Sequence, residues 1–337
     1  MTTECSSRTG FLLREVSLKQ GFILGLLLLV CAPLPAQQAG PKIPYQADPN
    51  FLKLPQGTYL GEAAGVAVNS KGNIFVYNRG EKTRLLEFDP NGNYLRTIGD
   101  GLYGFVFAHS VKIDRDDNLW CVDEGSSTVM EFDPTGRRVK MVLGRRPEPS
   151  SHLLPGQPEP APSDWLFNRP TDVAFDSKGD IFVTDGYVNS RVMKYDRHGN
   201  KLKEWGTRGT APGQFHTPHT IVVDANDRLY VGDRENNRIQ VFDTNGNFIA
   251  QWTNVGAPWA LCITLAPHQV IYSSDSRPGH IYKLDLKGKI LGEFGTAGKQ
   301  PGQFGWVHQI ACPSENVLFA GELLNWRVQK LVLHPEK

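Results

Sequence analysis

Three histidines fall at the same point of a repeating pattern. Aligned on the start of the innermost strand of each repeat, the equivalent positions are Ala64, His109, Thr171, His219, Trp259 and His308, so histidine occupies every second unit. If six units close a ring, equivalent positions on alternate units stand about 120° apart around its axis. Three imidazoles then converge on one point and leave a fourth direction open. That is the donor set of a catalytic zinc site, three protein nitrogens plus a water or substrate oxygen. A single strand-end histidine more often just hydrogen-bonds a neighbouring backbone, and the remaining histidines, at 152, 198, 216, 268, 280 and 334, share no such phase.

A second ring follows at the end of the second strand, where Asn78, Asp123, Asp185, Asp233, Asp275 and Glu322 are equivalent. The next residue is Arg79 in the first unit and Arg234 in the fourth, which face each other across the channel. Guanidinium binds carboxylate through two parallel hydrogen bonds, so the pair suggests an anionic substrate group. The competing reading is a rim salt bridge to Glu81 or Glu235. Tyr187, on the turn leaving the second strand of the third unit, is a candidate general base. Beside a divalent cation and an arginine a phenol ionises below its usual value of about 10. Packing against the channel wall is the alternative.

The elements that must position these groups are repeats. The turn signature Asp-x-x-Gly returns at Asp89, Asp133, Asp196, Asp243 and Asp285, with alternating apolar residues on both sides. Glycine supplies the positive φ of a tight hairpin. A further turn precedes each hairpin, at 70–73, 115–118, 177–180, 225–228, 266–269 and 313–316, which makes six units of four short strands. The expectation is an all-β, six-bladed β-propeller covering about Gly65 to Leu333. The last unit lacks its outer strand, so an N-terminal segment around Phe51 to Glu62 is expected to close the ring. A Pro-rich insertion at 145–164 is expected to form a loop over one face, as decoration or lid.

Composition fits this reading. The 337 residues include 34 Gly and 23 Pro, as an all-β chain full of turns requires. Lys plus Arg number 36 against 35 Asp plus Glu, so no overall field draws the chain to nucleic acid or an anionic membrane. Residues 1–36 read as a signal peptide: Arg14 and Lys19, an uncharged run from Gly21, then Leu34-Pro35-Ala36 as the cleavage point. The run is too short for a membrane span. A secreted or periplasmic monomer, residues 37–337, is expected. Cys121, Cys262 and Cys312 remain and are expected as buried free thiols.

Two sequence families are resembled. Asn189-Ser-Arg-Val192, Asn236-Asn-Arg-Ile239, Asn325-Trp-Arg-Val328 and the linkers Gly206–Phe215 and Gly295–Phe304 resemble NHL repeats, which fix fold and leave function open. More specific runs resemble the lyase half of peptidylglycine α-amidating enzymes. They are Arg79-Gly80, His109-Ser-Val-Lys-Ile-Asp114, Asn168-Arg-Pro-Thr-Asp-Val173, Asp185-Gly-Tyr-Val-Asn-Ser-Arg191, Pro218-His-Thr-Ile221, Asp233-Arg-Glu-Asn-Asn-Arg-Ile-Gln240 and Val307-His-Gln-Ile310.

The second resemblance implies His109, His219 and His308 as zinc ligands, Tyr187 as base, and Arg79 and Arg234 around the substrate carboxylate. The implied reaction cleaves a peptidyl-α-hydroxyglycine to an amide and glyoxylate. The chain departs from that family at two positions. Gln309 replaces an aspartate that helps hold a structural calcium, and a neutral amide is the weaker ligand, which weighs against calcium here. Val188 replaces a disulfide-forming cysteine. The family's partner copper monooxygenase has no counterpart in the chain, so another carbinolamide, such as a ureidoglycolate-like compound, is an alternative substrate. Two other classes compete: a non-catalytic NHL propeller that binds a peptide or protein, and a calcium-dependent lactonase or esterase. The nitrogen ligands favour zinc or another transition metal over calcium.

Overall fold

The computed structural model describes residues 40–146 and 166–334. The proposed signal peptide and residues 147–164 of the Pro-rich insertion lie outside the described residues. Six four-stranded antiparallel sheets form the blades of a propeller. The innermost strands are Glu62–Val68, Ala108–Ile113, Asp172–Phe175, Pro218–Val223, Pro258–Ile263 and Val307–Ser314. Each packs beside the next, and the last packs against the first.

The expected hairpins join the third and outer strands. At Asp89 the carboxylate accepts the backbone N–H groups of Asn91 and Asn93, and Gly92 takes the positive φ of 80° that completes the turn. Alternation sends one face of each strand into the space between blades. Phe75, Tyr77, Phe182, Tyr230, Phe242 and Tyr272 are fully buried there. Those large inter-blade side chains make the ring a rigid frame.

The NHL signature has a mechanical basis in this frame. In the fourth blade Arg238 donates Nε to Asp233 at 2.7 Å, and its other nitrogens to the carbonyls of Thr210, Ala211 and Gln214 in the linker arriving from the third blade. Asn236 adds a bond to Gly209. Arg327 and Asn325 hold the linker 295–304 in the same way. Asp233 also accepts the N–H of His216, so the acid of the second ring ties the incoming loop to the strand it serves.

Two expectations need correction. The ring is closed by Tyr45–Asp48, which pairs antiparallel with Arg327–Leu333, rather than by residues 51–62. The closing strand is the outermost of the sixth blade, whereas the strand after it, Glu62–Val68, is the innermost of the first. Four strands stand about 4.8 Å apart, so the chain must cross roughly 15 Å of sheet, and residues 49–61 are used for that crossing. Closure at 51–62 would leave nothing to make it.

The cysteines also differ from expectation. Cys121 is buried and free, but Cys262 and Cys312 form a disulfide between the inner strands of the fifth and sixth blades. Reading strands one at a time conceals that these two side chains meet across a blade boundary. The bridge spans 50 residues of sequence, so replacing both cysteines by serine is expected to cost about 2–4 kcal/mol, visible as a lowered denaturation midpoint. An unchanged midpoint would show that the bridge does not hold the blades together.

Candidate active site

Each histidine is the second residue of an inner strand, where the chain arrives from the preceding blade. The ring nitrogens of His109, His219 and His308 all lie within 4.8 Å of one another, and all three side chains are buried. The phase of the repeats therefore does bring them together.

Their backs are fixed by the blades between them. His219 Nδ1 donates to the carbonyl of Trp259 at 2.6 Å and His308 Nδ1 to that of Ala64 at 2.7 Å. Trp259 and Ala64 are the equivalent residues of the next blade in each case. A carbonyl only accepts, so the proton sits on Nδ1 and Nε2 presents its lone pair to the axis. His109 Nδ1 has the Thr171 backbone in the corresponding place, loosely and outside hydrogen-bond geometry.

Burial keeps the three imidazoles neutral. It is the first cause that holds His109 and His219 well below the usual histidine range, with repulsion from the other imidazoles and from Arg79 or Arg234 adding to it. His308 is lowered to about 3 by burial and then by Arg79. A buried, neutral set of three nitrogens, two with their tautomer set by a carbonyl, fits a transition metal and would hold it through Nε2.

Tyr187 reaches the same point. Its hydroxyl is 3.2 Å from His109 Nε2 and 3.2 Å from His219 Nε2. Because His219 Nε2 is an acceptor, the phenol is the donor in that pair. The expectation of a lowered phenol pKa is not met by the protein groups alone. Burial is the largest influence and outweighs Arg234 and Arg79, so Tyr187 is held above its ordinary value. Ionisation near neutrality requires a further positive charge at the hydroxyl.

The two arginines flank this centre. Arg234 lies over Trp259, 4.5 Å from the ring centroid, and 5.4 Å from that of Tyr187. Its Nε donates to Glu235 at 2.9 Å, the rim contact weighed above. Arg79 does not pair with Glu81. Its Nε donates to the carbonyl of Ala108 at 2.5 Å, and Nη1 is 3.5 Å from Glu62. Its Nη2 is buried without a hydrogen-bond partner, with Glu124 at 3.7 Å as its ion-pair partner.

Glu124 was missed from the sequence although its signal was present. It follows Asp123 just as Arg79 follows Asn78 and Arg234 follows Asp233, the same register position in the second blade. It is half-buried near three cations: desolvation is the largest influence and raises its pKa, and Arg79, Arg169 and Arg234 pull it down. Arg169, on the loop entering the third blade, was missed as well. It holds φ at +61°, as Thr217 and Trp306 do at the same position of the fourth and sixth blades, so the turn belongs to the repeat and the arginine side chain is what sets this blade apart.

Gln309, where the resembled family carries an acid, is fully engaged. Its Oε1 accepts from Val66 and Val111, at 2.9 and 3.1 Å, and its Nε2 donates to the Val111 carbonyl at 2.9 Å. The amide thus links the inner strands of the first, second and sixth blades.

The NHL repeat family matches residues 167–195 and 215–242. Human NHL repeat-containing protein 3 is 30% identical over 258 residues, covering 73% of this chain and 68% of that protein. The chain belongs to the NHL-repeat family. The probable peptidyl-α-hydroxyglycine α-amidating lyase of Caenorhabditis elegans is 26% identical over 310 residues, covering 81% of this chain and 83% of that one. Peptidyl-glycine α-amidating monooxygenase A of Xenopus laevis is 29% identical over 303 residues, covering 78% of this chain. The family match there spans 31% of the Xenopus protein, so the chain corresponds to about a third of it.

Proposed function

We propose that the chain is a metal-dependent lyase that cleaves the C–N bond of a peptidyl-α-hydroxyglycine, or a similar carbinolamide, to an amide and glyoxylate. The observation that carries this reading is the contact of the Tyr187 hydroxyl with two of three buried, neutral imidazoles. A phenol fixed there can take a proton only from a group bound at the open side of the histidines. The relatives named as amidating lyases support the same class.

Zinc, or another transition metal, held by Nε2 of His109, His219 and His308 would act as a Lewis acid toward the substrate hydroxyl and supply the positive charge that Tyr187 lacks. Tyr187, ionised to the phenolate by that charge, would accept the hydroxyl proton. The electron pair left on oxygen forms the C=O of glyoxylate, the C–N bond breaks, and the amide nitrogen leaves with a proton returned from the phenol. Arg79, through an Nη2 that makes no hydrogen bond, and Arg234 hold the carboxylate of the α-hydroxyglycine. Trp259 and Phe107 back those guanidinium groups and fix their direction.

Glu124 competes with the substrate for the same cations. Glu124→Gln is therefore expected to lower KM for an anionic substrate roughly fivefold, the ~1 kcal/mol scale of a partly buried pair. Glyoxylate inhibition should tighten in step. A raised KM would instead make Glu124 a group that organises the arginines for substrate.

The test of the function is glyoxylate release from a short peptide ending in α-hydroxyglycine, by protein loaded with zinc. Metal-loaded protein that releases none at high concentration would leave the non-catalytic propeller as the better reading.

A further inference from the structure

The six blades serve as controls for one another: three of them pair an acid with an arginine, the second and fifth carry an acid opposite Thr128 and His280, and the first alone keeps the arginine without the acid. At the ends of the second and third strands, an acid faces an arginine across the sheet in three blades: Asp185 and Arg191, Asp233 and Arg238, Glu322 and Arg327. In each, arginine Nε donates to the carboxylate, at 3.1, 2.7 and 2.7 Å. In the first blade the same register pair is Asn78 and Arg84. Asn78 offers no charge, and its amide is otherwise occupied. Its Oδ1 accepts the backbone N–H of Arg84, and its Nδ2 donates to the carbonyl of Leu60.

The Arg84 side chain is left without a hydrogen bond or ion pair to any described residue, and its Nε is buried. It lines an open pocket of about 640 Å³, which Arg79 lines as well. Three exposed aromatic residues, Tyr59, Phe107 and Trp326, complete the walls. Glu62 and Glu81 also line it; Glu62 is engaged with Arg79, and neither stands within ion-pair distance of Arg84.

We propose that Arg84 is a specificity-determining residue that binds a carboxylate on the amide half of the substrate. The proposal rests on the function proposed above and narrows its substrate class. Arg79 is shared between the candidate active site and this pocket, so a substrate gripped by Arg79 extends its acyl group into the pocket. An apolar spacer then lies against Tyr59, Phe107 and Trp326, and its terminal carboxylate meets the Arg84 guanidinium, whose planar fork matches a carboxylate. The two glutamates limit the pocket to a singly charged group and disfavour a dianionic phosphate. The fitting substrates are N-acyl-α-hydroxyglycines whose acyl chain ends in a carboxylate.

The test uses two matched substrates, N-succinyl-α-hydroxyglycine and its neutral counterpart N-succinamyl-α-hydroxyglycine, with their amide products succinamate and succinamide. Wild-type protein is expected to favour the charged member about tenfold, both in kcat/KM and in product binding by calorimetry, as for a charge-assisted contact. Arg84→Gln should narrow that ratio to within about twofold. Asn78→Asp should do the same by restoring the acid that captures Arg84, so the two variants reach one outcome by independent routes. Equal binding of succinamate and succinamide by the wild type would overturn the proposal, as would a preference that survives both substitutions. Absence of turnover with either substrate counts against the lyase reading alone, because the binding comparison needs no catalysis.

Discussion

Tyr187→Phe is expected to reduce kcat by about 10² or more while leaving metal content unchanged. The substitution removes one oxygen and keeps the ring, so the face presented to the Arg234 guanidinium survives. What disappears is the only described hydroxyl in contact with His109 and His219. Loss of a positioned base costs about 10² to 10⁴. A base role also predicts a pH profile. The wild-type rate should rise with pH through an ionisation that zinc loading moves downward, and Tyr187→Phe should flatten that limb. A purely structural tyrosine would alter stability and leave the limb in place. The idea fails if the variant keeps wild-type kcat with full metal content.

The second large effect concerns the ligands. Replacing any one of His109, His219 or His308 by Ala should weaken zinc binding by more than about 10², since losing even a supporting contact behind a ligand costs up to that much. Metal analysis of the purified variants reads this directly, and full retention in two of the three would refute the site. The apo proteins separate ligation from packing. His219→Ala and His308→Ala also strand the carbonyls of Trp259 and Ala64, a cost of about 1–3 kcal/mol each, whereas His109→Ala breaks no comparable bond.

The same burial sets a pH dependence of folding. The histidine pKa values are lower in the folded chain than the ordinary value near 6.5. Above that value both states are neutral and protonation contributes nothing. As pH falls below it the unfolded chain binds protons that the folded chain refuses, so apo stability declines, and the decline from His308 levels off only near its folded value of about 3. Denaturation midpoints of the apo protein between about pH 7 and pH 4 check the sign.

What was legible in the sequence was whatever the repeat made periodic. The hairpin aspartates fixed the blades because a side chain that caps its own turn leaves a local signature, and the histidine phase followed from counting blades. What escaped depends on neighbours in space. Cys262 and Cys312 meet across a boundary between sheets, and the closing strand is set by the distance the next segment must travel. Glu124 stood in the register of Arg79 and Arg234 all along, but its meaning as their counter-ion needs the channel that brings three blades to one point. Tyr187 was identified for its chemistry, but the burial that raises its pKa in the absence of a cation cannot be read from a turn sequence.

The placing of histidines on alternate blades also makes the site a test of parity. The intervening residues Ala64, Thr171 and Trp259 stand between successive histidines, two of them supplying a carbonyl to the histidine before. A ring with an odd number of blades cannot alternate: somewhere two ligands would fall on neighbouring sheets and one imidazole would face another in place of its carbonyl. Gain or loss of a single repeat, which a scaffold used only for docking tolerates, would dismantle this centre, and only changes by whole pairs could preserve the alternation.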